Sequence, residues 1–179
     1  MNKLFLISGH SGSGKTTLMK SLMDNEVISF TTRERRNGEQ EGVDYKFISI
    51  DQFNQMKYQN KLIEWVEYSG NFYGIDAEEF ESKISTGEAF CIVDYHGMTQ
   101  FKAFYPNCCT IFLYTPYKQA YKQMLNRGDA EDKIASRLHT YNEELKNRKH
   151  YDYVIRNNSG QFENTRNIIM SIIESEVNI

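Results

Sequence analysis

The residues best suited to chemistry lie near the start of the chain, where glycines at fixed spacing lead into a lysine and a threonine. Residues 9–16 read GHSGSGKT, which fits the pattern G-x-x-x-x-G-K-[ST] of a phosphate-binding loop at every fixed position. Glycines let such a loop curl so that successive backbone N–H groups face one phosphate oxygen. The sequence therefore predicts a site for a nucleoside triphosphate. The predicted nucleotide-binding residues are Gly9, His10, Ser11, Gly12, Ser13, Gly14, Lys15, Thr16 and Thr17.

The two side chains at the end of the loop have distinct expected roles. Lys15 should neutralise charge on the β and γ phosphates, and the Thr16 hydroxyl oxygen should bind Mg²⁺, a hard cation held otherwise by phosphates and water. The loop follows a strand-like apolar run at residues 3–8 and opens a helix-favouring stretch at residues 15–23. This context favours phosphate binding over a glycine-rich turn that happens to contain lysine and threonine.

A second set of polar residues occupies residues 29–45, which read SFTTRERRNGEQEGVDY. This segment concentrates guanidinium, hydroxyl and phenol groups. Paired arginines offer planar forks that suit a phosphate, and a tyrosine hydroxyl adds a neutral donor. Arg33 and Arg36 are therefore candidates for a second phosphate site, whereas Arg35 is interpreted as a solvent-exposed charge.

These motifs resemble the acceptor site of the guanylate kinase family, and the resemblance spans nearly the whole chain. A second acceptor motif is present as IEW at residues 63–65 and SGNFYG at residues 69–74. The resemblance implies transfer of the γ-phosphoryl group of ATP to GMP or dGMP, with ATP and GMP as small-molecule partners. It also implies the residues that bind GMP, which are Ser29, Arg33, Arg36, Tyr45, Glu64 and Tyr73.

Glu64 can select the base for a physical reason that is independent of the resemblance. Guanine presents two donors, at N1 and at its exocyclic amine, whereas N1 of adenine is an acceptor that would repel a carboxylate. One carboxylate can therefore distinguish the two bases. The alternative interpretation of Glu64 is a surface charge beside a half-buried strand.

The second half of the chain contains the remaining candidates. Asp94 ends an apolar run, at the strand end where α/β proteins bind ligands. The resemblance implies that Asp94 organises the Mg²⁺ shell or the loop, with an ordinary turn aspartate as the alternative. It also implies that Arg127 and Arg137 close over the transferred phosphoryl group as part of a lid, and that Asn157 lies beside adenine. The predicted catalytic residues are Lys15, Arg33, Asp94, Arg127 and Arg137.

Four residues depart from the resemblance. His10 stands where the family usually has proline, and Met124 lies in the region where an additional arginine is common, beside a lid that looks shortened. In the base pocket, His96 and Ile75 replace a carboxylate and a small hydroxyl residue. We therefore expect altered base recognition.

Two functions other than a catalytic guanylate kinase are compatible with these patterns. One is a guanylate kinase-like interaction module that has lost its chemistry, against which the intact Lys15–Thr16 pair argues. The other is a related phosphate-loop kinase that acts on another small phosphorylated acceptor, which the altered base pocket keeps open.

The apolar segments predict the architecture that must position these residues. Strand-like runs at residues 3–8, 89–94, 110–114 and 153–156 are separated by helical patterns at residues 97–104 and 116–126, and a helix at residues 163–175 follows. Such alternation is typical of a parallel sheet covered on both faces. We predict one domain with the three-layer α/β fold of P-loop NTPases. Its parts would be a core (1–28, 85–125 and 140–179), an inserted GMP-binding lobe (29–84) and a lid (126–139) that begins with a polar interruption at residues 127–133.

The composition is that of a folded protein without a basic surplus. Hydrophobic residues make up 40% of the 179 residues and the formal net charge is −3, so phosphate affinity must come from a few positioned residues and no nucleic-acid partner is expected. No apolar run approaches the roughly 20 residues of a membrane span. Cys91, Cys108 and Cys109 lack metal-ligand spacing. We expect a cytoplasmic protein with reduced, mostly buried thiols and no membrane partner.

Overall fold

The computed structural model describes residues 1–36, 38–68 and 70–178, and a four-stranded parallel sheet forms its core. Neighbouring strands are all parallel. In side-by-side order they are β6 (Ala89–Ile92), β1 (Leu4–Ser8), β7 (Cys108–Tyr114) and β8 (Tyr153–Arg156). All of β1 is buried, as expected for a central strand covered on both faces. Asn37 and Ser69, which belong to the two acceptor motifs, lie outside the described residues.

Helices cover both faces of this sheet and confirm the predicted three-layer fold. They are α1 (Lys15–Lys20), α4 (Tyr95–Phe104), α5 (Tyr117–Asn126), α6 (Glu131–His139), α7 (Tyr141–Lys146) and α8 (Phe162–Val177). Alternate residues of β1 enter opposite apolar clusters: Leu6 packs in one with Phe101 of α4, and Ile7 packs in the other with Ile169 of α8. The closing helix predicted at residues 163–175 therefore packs on the sheet as expected.

A second, smaller sheet is formed by the part of the chain between core strands β1 and β6. Its strands in side-by-side order are β3 (Lys46–Phe47), β2 (Phe30–Thr31), β5 (Asn71–Asp76) and β4 (Leu62–Tyr68). Strands β2 and β3 are parallel and the other pairs are antiparallel. Two helices accompany this sheet, α2 (Ile50–Tyr58) and α3 (Ala77–Ile84). Ser49 and Gln52 form a capping box that starts α2, and the Asp76 side chain caps α3.

Strand β4 has one irregularity that decides which of its residues face inward. Its pairing with β5 shifts register between Leu62 and Glu64. After this shift Glu64 is buried and Trp65 is exposed. Because side chains alternate along a strand, Val66 and Tyr68 lie on the same face as Glu64. All three line the cavity described below.

The sequence predicts that Asp94 ends a strand, but in the structure Asp94 caps the start of a helix. Strand β6 ends at Ile92. The Asp94 carboxylate accepts the N–H of Gly97 at 2.7 Å and caps α4, which therefore begins at Tyr95, two residues before the predicted start. A capping aspartate satisfies a helix N–H that has no partner within the helix.

The polar interruption predicted at residues 127–133 is shorter in the structure. Only residues 127–130 separate α5 from α6, because α6 begins at Glu131. Glu131 and Asp132 lie in the first turn of α6, where negative charge favours the helix N-terminus. Charged residues at 131–133 therefore belong to a helix rather than to a loop.

Met124 lies in a small apolar cluster formed by α5, α6 and α7. It is fully buried and packs with Ile134 and Tyr141. This interior position accounts for an apolar residue where the resemblance suggests an arginine.

The three cysteines are free thiols, as predicted. Cys91 and Cys109 are buried and Cys108 is half-buried. Within residues 1–36, 38–68 and 70–178, no helix is long and apolar enough to cross a membrane.

Candidate active site

A cavity of about 1590 Å³ opens at the carboxyl ends of the core strands. Its volume exceeds the roughly 300–1,000 Å³ of a typical small-molecule pocket, which leaves room for two nucleotides. The predicted residues that line it are Gly9, Ser11, Gly12, Gly14, Lys15, Thr16, Thr17, Ser29, Arg33, Arg36, Tyr45, Glu64, Tyr73, Asp94, Arg127, Arg137 and Asn157. His10 and Ser13 are the exceptions among the predicted residues, since both are buried away from the cavity.

The phosphate loop is pressed against strand β7. Gly9 has a φ of +140°, and a Cβ built there would lie 1.9 Å from Leu113 O, so only glycine fits. Gly14, with a φ of 90°, precedes α1, and no side chain caps this helix. The first N–H groups of α1 are therefore left for a ligand, which is the arrangement that binds phosphate.

Lys15 begins α1 and folds back over the loop. Its Nζ donates to Gly9 O at 2.5 Å and to His10 O at 3.0 Å. Burial, opposed by the Glu144 carboxylate and aided by Arg127 and Arg137, lowers the pKa of Lys15 to about 8. A phosphate beside this ammonium would favour its charged form, so Lys15 is placed to neutralise one.

The side chain of Asn157 is hydrogen-bonded to the backbone of the phosphate loop. Its Nδ2 donates to Ser13 O at 3.0 Å, and its Oδ1 accepts from Thr165 Oγ1 at 3.2 Å. The side-chain amide is thus engaged within the protein. The contact with adenine that the resemblance implies stays a prediction.

The acceptor arginines are held by a carboxylate that the sequence analysis gave no role. Glu39 Oε1 lies 2.8 Å from Arg33 Nη2 and 3.8 Å from Arg36 Nη1, and Glu39 Oε2 accepts the Arg36 N–H at 2.8 Å. Arg35 is exposed, as predicted. Glu39, which lies in the same segment as these arginines, therefore supplies their counter-charge.

Two tyrosines stand beside Arg33. The rings of Tyr45 and Tyr73 are 5.9 Å apart, and the Arg33 guanidinium lies 5.3 Å from the centre of the Tyr45 ring. Burial, together with Tyr73, raises the pKa of Tyr45 to about 12. Tyr45 is therefore a neutral hydroxyl donor near pH 7.

Glu64 is buried, with 3% of its surface exposed, which excludes the alternative of a surface charge. A Cβ built on Gly97 would lie 2.7 Å from Glu64 Oε2, so the carboxylate fits only because residue 97 has no side chain. Burial first, and Asp94 second, raise the pKa of Glu64 to about 8. A buried carboxyl group that faces a cavity is suited to accept hydrogen bonds from a ligand.

The lid arginines share one carboxylate, that of Asp129. Arg127 donates to both of its oxygens, with Nε at 3.2 Å from Oδ1, and Arg137 Nη1 lies 3.6 Å from Oδ2. Burial and the neighbouring guanidinium groups, that of Arg137 foremost, lower the pKa of Arg36. The lid and acceptor arginines therefore face one another across the cavity.

Comparison with known proteins places this arrangement in a family. A sequence model of the family described as guanylate kinase matches residues 1–176. The chain is 37% identical to a guanylate kinase of Fusobacterium nucleatum, with 99% of this chain and 98% of the relative covered, and 34% identical to one of Geobacter metallireducens, with 97% and 88% covered.

The chain belongs to the guanylate kinase family. A crystal structure of guanylate kinase from Anaplasma phagocytophilum superposes with a TM-score of 0.77 at 26% identity, covering 98% of this chain and 86% of the other. These findings confirm the predicted fold and the predicted enzyme class, a nucleoside monophosphate kinase that phosphorylates GMP from ATP.

The two departures in the base pocket have different outcomes within this guanylate kinase fold. His96 is exposed and lines the cavity beside Asp94. Ile75 is fully buried in the core cluster that contains Phe80 and Met98, and it is not part of the cavity lining. The expectation that Ile75 alters the base pocket is therefore wrong, because strand β5 directs this side chain into the core.

The residues expected at a magnesium site are compatible with the ion. Thr16 is exposed at the start of α1, and both it and Asp94 line the cavity. In the described part of the chain, no cluster of three or more His, Cys, Asp or Glu side chains is arranged to hold a metal. Such a donor set suits Mg²⁺, which commonly takes one or two protein ligands and completes its shell with phosphates and water.

Lys20, at the end of α1, connects the phosphate loop helix to the acceptor motif. Its Nζ lies 3.0 Å from Asp44 Oδ1, 3.4 Å from Glu26 Oε2 and 3.2 Å from Val43 O. Asp44 directly precedes Tyr45. One ammonium group thus links the helix that follows the phosphate loop to the segment that contains Tyr45.

Proposed function

We propose that ATP and GMP (or dGMP) bind side by side in the cavity and that the γ-phosphoryl group passes between them with Mg²⁺. The observation that carries this proposal is the number of positively charged side chains that meet in one cavity. Six cationic side chains line one cavity beside the phosphate loop, and they are Lys15, Arg33, Arg36, Arg127, Lys133 and Arg137. Catalysis of phosphoryl transfer is largely positioning and stabilisation of charge on the equatorial oxygens.

In the donor half, the loop N–H groups and Lys15 would hold the β and γ phosphates of ATP. Lys15 would exchange its contacts with Gly9 O and His10 O for phosphate oxygens. Mg²⁺, when bound by the Thr16 hydroxyl and organised by Asp94, would neutralise developing phosphate charge. The loop glycines allow the backbone to approach these phosphates closely.

In the acceptor half, Arg33, Arg36, Tyr45 and Tyr73 would hold the phosphate of GMP. The guanidinium groups leave their pairs with Glu39 for a phosphate that carries more charge and more acceptor oxygens. Glu64, as the carboxylate, would accept from N1 and the exocyclic amine of guanine, with Ser29 nearby. Binding would thus fix both ends of the acceptor.

The lid would supply the remaining stabilisation. Arg127 and Arg137 are already gathered at the cavity by Asp129, and both would move onto the phosphoryl group in transfer. We propose that residues 29–84 and 126–139 close over the core at 1–28, 85–125 and 140–179, which would exclude water from the γ-phosphate.

The free thiols of the cysteines fit a cytoplasmic location.

Product analysis with a panel of acceptors tests the proposal. The protein is incubated with ATP and GMP, dGMP, IMP or AMP, with Mg²⁺ or with a chelator, and nucleotides are separated by chromatography. We expect equal amounts of ADP and GDP, formed only with Mg²⁺, and little product from AMP. Absence of GDP across enzyme and Mg²⁺ concentrations would contradict the proposal, and efficient use of another acceptor would favour the related kinase.

A further inference from the structure

The ring of His10 is buried behind the phosphate loop and satisfies two backbone groups. Nδ1 lies 2.9 Å from Ser11 O, and Nε2 lies 3.0 Å from both N and O of Thr115. A carbonyl oxygen only accepts, so Nδ1 carries the proton donated to Ser11 O, and the Nε2 lone pair accepts the Thr115 N–H. Proline, which the resemblance implies here, has no side-chain donor or acceptor for either contact.

Thr115 extends this contact to the start of α7, just beyond the lid (126–139). It directly follows β7, and its carbonyl accepts from Tyr141 OH at 2.8 Å. Tyr141 begins α7, and its ring centroid lies 4.5 Å from that of His10. Arg137, in the last turn of α6, lies four residues before Tyr141. A continuous set of contacts therefore runs from the phosphate loop through Thr115 to the point where α6, the helix of the lid, meets α7.

In the free protein the His10 carbonyl oxygen also accepts from Lys15 Nζ at 3.0 Å, a contact that Lys15 would exchange for phosphate oxygens when ATP binds. Because His10 and Lys15 belong to the same loop, a shift of the backbone at residue 10 would still move the loop relative to Arg137. We propose that His10 is a positioning residue whose ring holds the phosphate loop and the lid in register for phosphoryl transfer. This inference rests on the proposed function.

Two amide substitutions at His10 test the contact of Nδ1 and the contact of Nε2 separately. Asn places its amide near the position of Nδ1, so His10→Asn keeps the donor to Ser11 O and loses the acceptor for Thr115. Gln reaches the position of Nε2, so His10→Gln keeps an acceptor for the Thr115 N–H. Tyr141→Phe keeps the second ring and removes only its hydroxyl donor. His150→Asn, at an exposed position outside the lid, is the matched control.

We expect His10→Asn and Tyr141→Phe each to lower kcat about tenfold, the loss that corresponds to one hydrogen bond. KM for ATP and the dissociation constant of ADP, measured by calorimetry, should change less than about threefold. His10→Gln should restore most of kcat. The double variant His10→Asn/Tyr141→Phe should be no slower than His10→Asn, because both act through Thr115.

Other outcomes would overturn the inference. If kcat in His10→Asn equalled that in His150→Asn, the ring would have no role in positioning. If ADP affinity fell in parallel with kcat, or if the two losses multiplied in the double variant, His10 would only shape the loop. A wild-type protein that made no GDP would instead refute the proposed function. Tyr141→Phe and the ADP titration apply even where His10→Asn lowers stability.

Discussion

The donor and acceptor halves of this site are built from different parts of the chain. The phosphate loop is mostly backbone, fixed against β7 at Gly9 and braced by Asn157. The acceptor half is made of long side chains in and around a small sheet, and Arg33 there is paired with Glu39. A backbone site is complete before its ligand arrives, whereas a side-chain site must exchange internal partners for the ligand.

This contrast separates the part of the site that can bind any polyphosphate from the part that selects one acceptor. A loop of N–H groups recognises any polyphosphate, because it contacts only phosphate oxygens. Selection of the acceptor requires side chains whose charge and hydrogen-bond pattern match one molecule. Substitutions in the two halves should therefore change different kinetic constants.

The largest effect should follow removal of the ammonium group in the donor half. Lys15→Ala should lower kcat about 10³-fold with a smaller change in KM for ATP, because the ammonium acts where phosphoryl charge develops and the backbone still binds ATP. Steady-state kinetics measures this. Lys118→Ala, on the exposed surface of α5, is the control and should match the wild type. Near-full turnover in Lys15→Ala would remove Lys15 from the chemistry.

In the acceptor half, Arg33→Ala should raise KM for GMP and lower kcat/KM for GMP about 100-fold. Charge-assisted hydrogen bonds contribute roughly 1.5–3 kcal/mol each. The neighbouring exposed Arg35 offers a matched control with the same chemical change, and Arg35→Ala should leave both constants unchanged. Equal losses in the two variants would mean that general positive charge, rather than a positioned fork, binds the phosphate.

Sequence patterns predicted the fold and located the phosphate loop between β1 and α1, because such a loop is specified by contiguous residues. The parallel sheet and the closing helix were also predictable, and the predicted acceptor arginines line the cavity, although their role stays a prediction. Glu39 and Asp129, the counter-charges of these arginines, were not, because their contacts depend on how two loops fold. The inward position of Glu64 depends on a register shift in β4, and no residue type in that strand announces such a shift.

The pH dependence should differ between the two substrates. Glu64 has a pKa of about 8 in the free protein and must lose its proton to accept from guanine, so kcat/KM for GMP should rise up to about tenfold per unit toward pH 8 and then level off. Lys15 has a pKa of about 8 and must keep its proton, so kcat/KM for ATP should fall above pH 8. Glu64→Gln should abolish the first dependence and retain the second. Parallel profiles in the wild type would contradict these assignments.

The smallest effect concerns the exposed residue of the base pocket. IMP keeps the N1 donor and lacks only the exocyclic amine, so His96→Asp should raise the ratio of kcat/KM for GMP over IMP about fivefold, through one added acceptor. The ratio of GMP over AMP should change less, because in the proposed function Glu64 alone would exclude adenine. An unchanged GMP-to-IMP ratio would place His96 outside the reach of guanine. Comparable kcat/KM values for GMP and AMP in the wild type would overturn the role of Glu64.

Helix α1 has only six residues, and at 1.5 Å per residue it is about 9 Å long. In the proposed function its first residue, Lys15, would hold the donor phosphates, and its last, Lys20, pairs with Asp44, which directly precedes Tyr45. Such a short rigid rod transmits a tilt at one end to the other. Thermodynamic linkage makes any resulting energetic coupling reciprocal, so if ATP tightens the hold on GMP through this rod, GMP tightens the hold on ATP by the same factor.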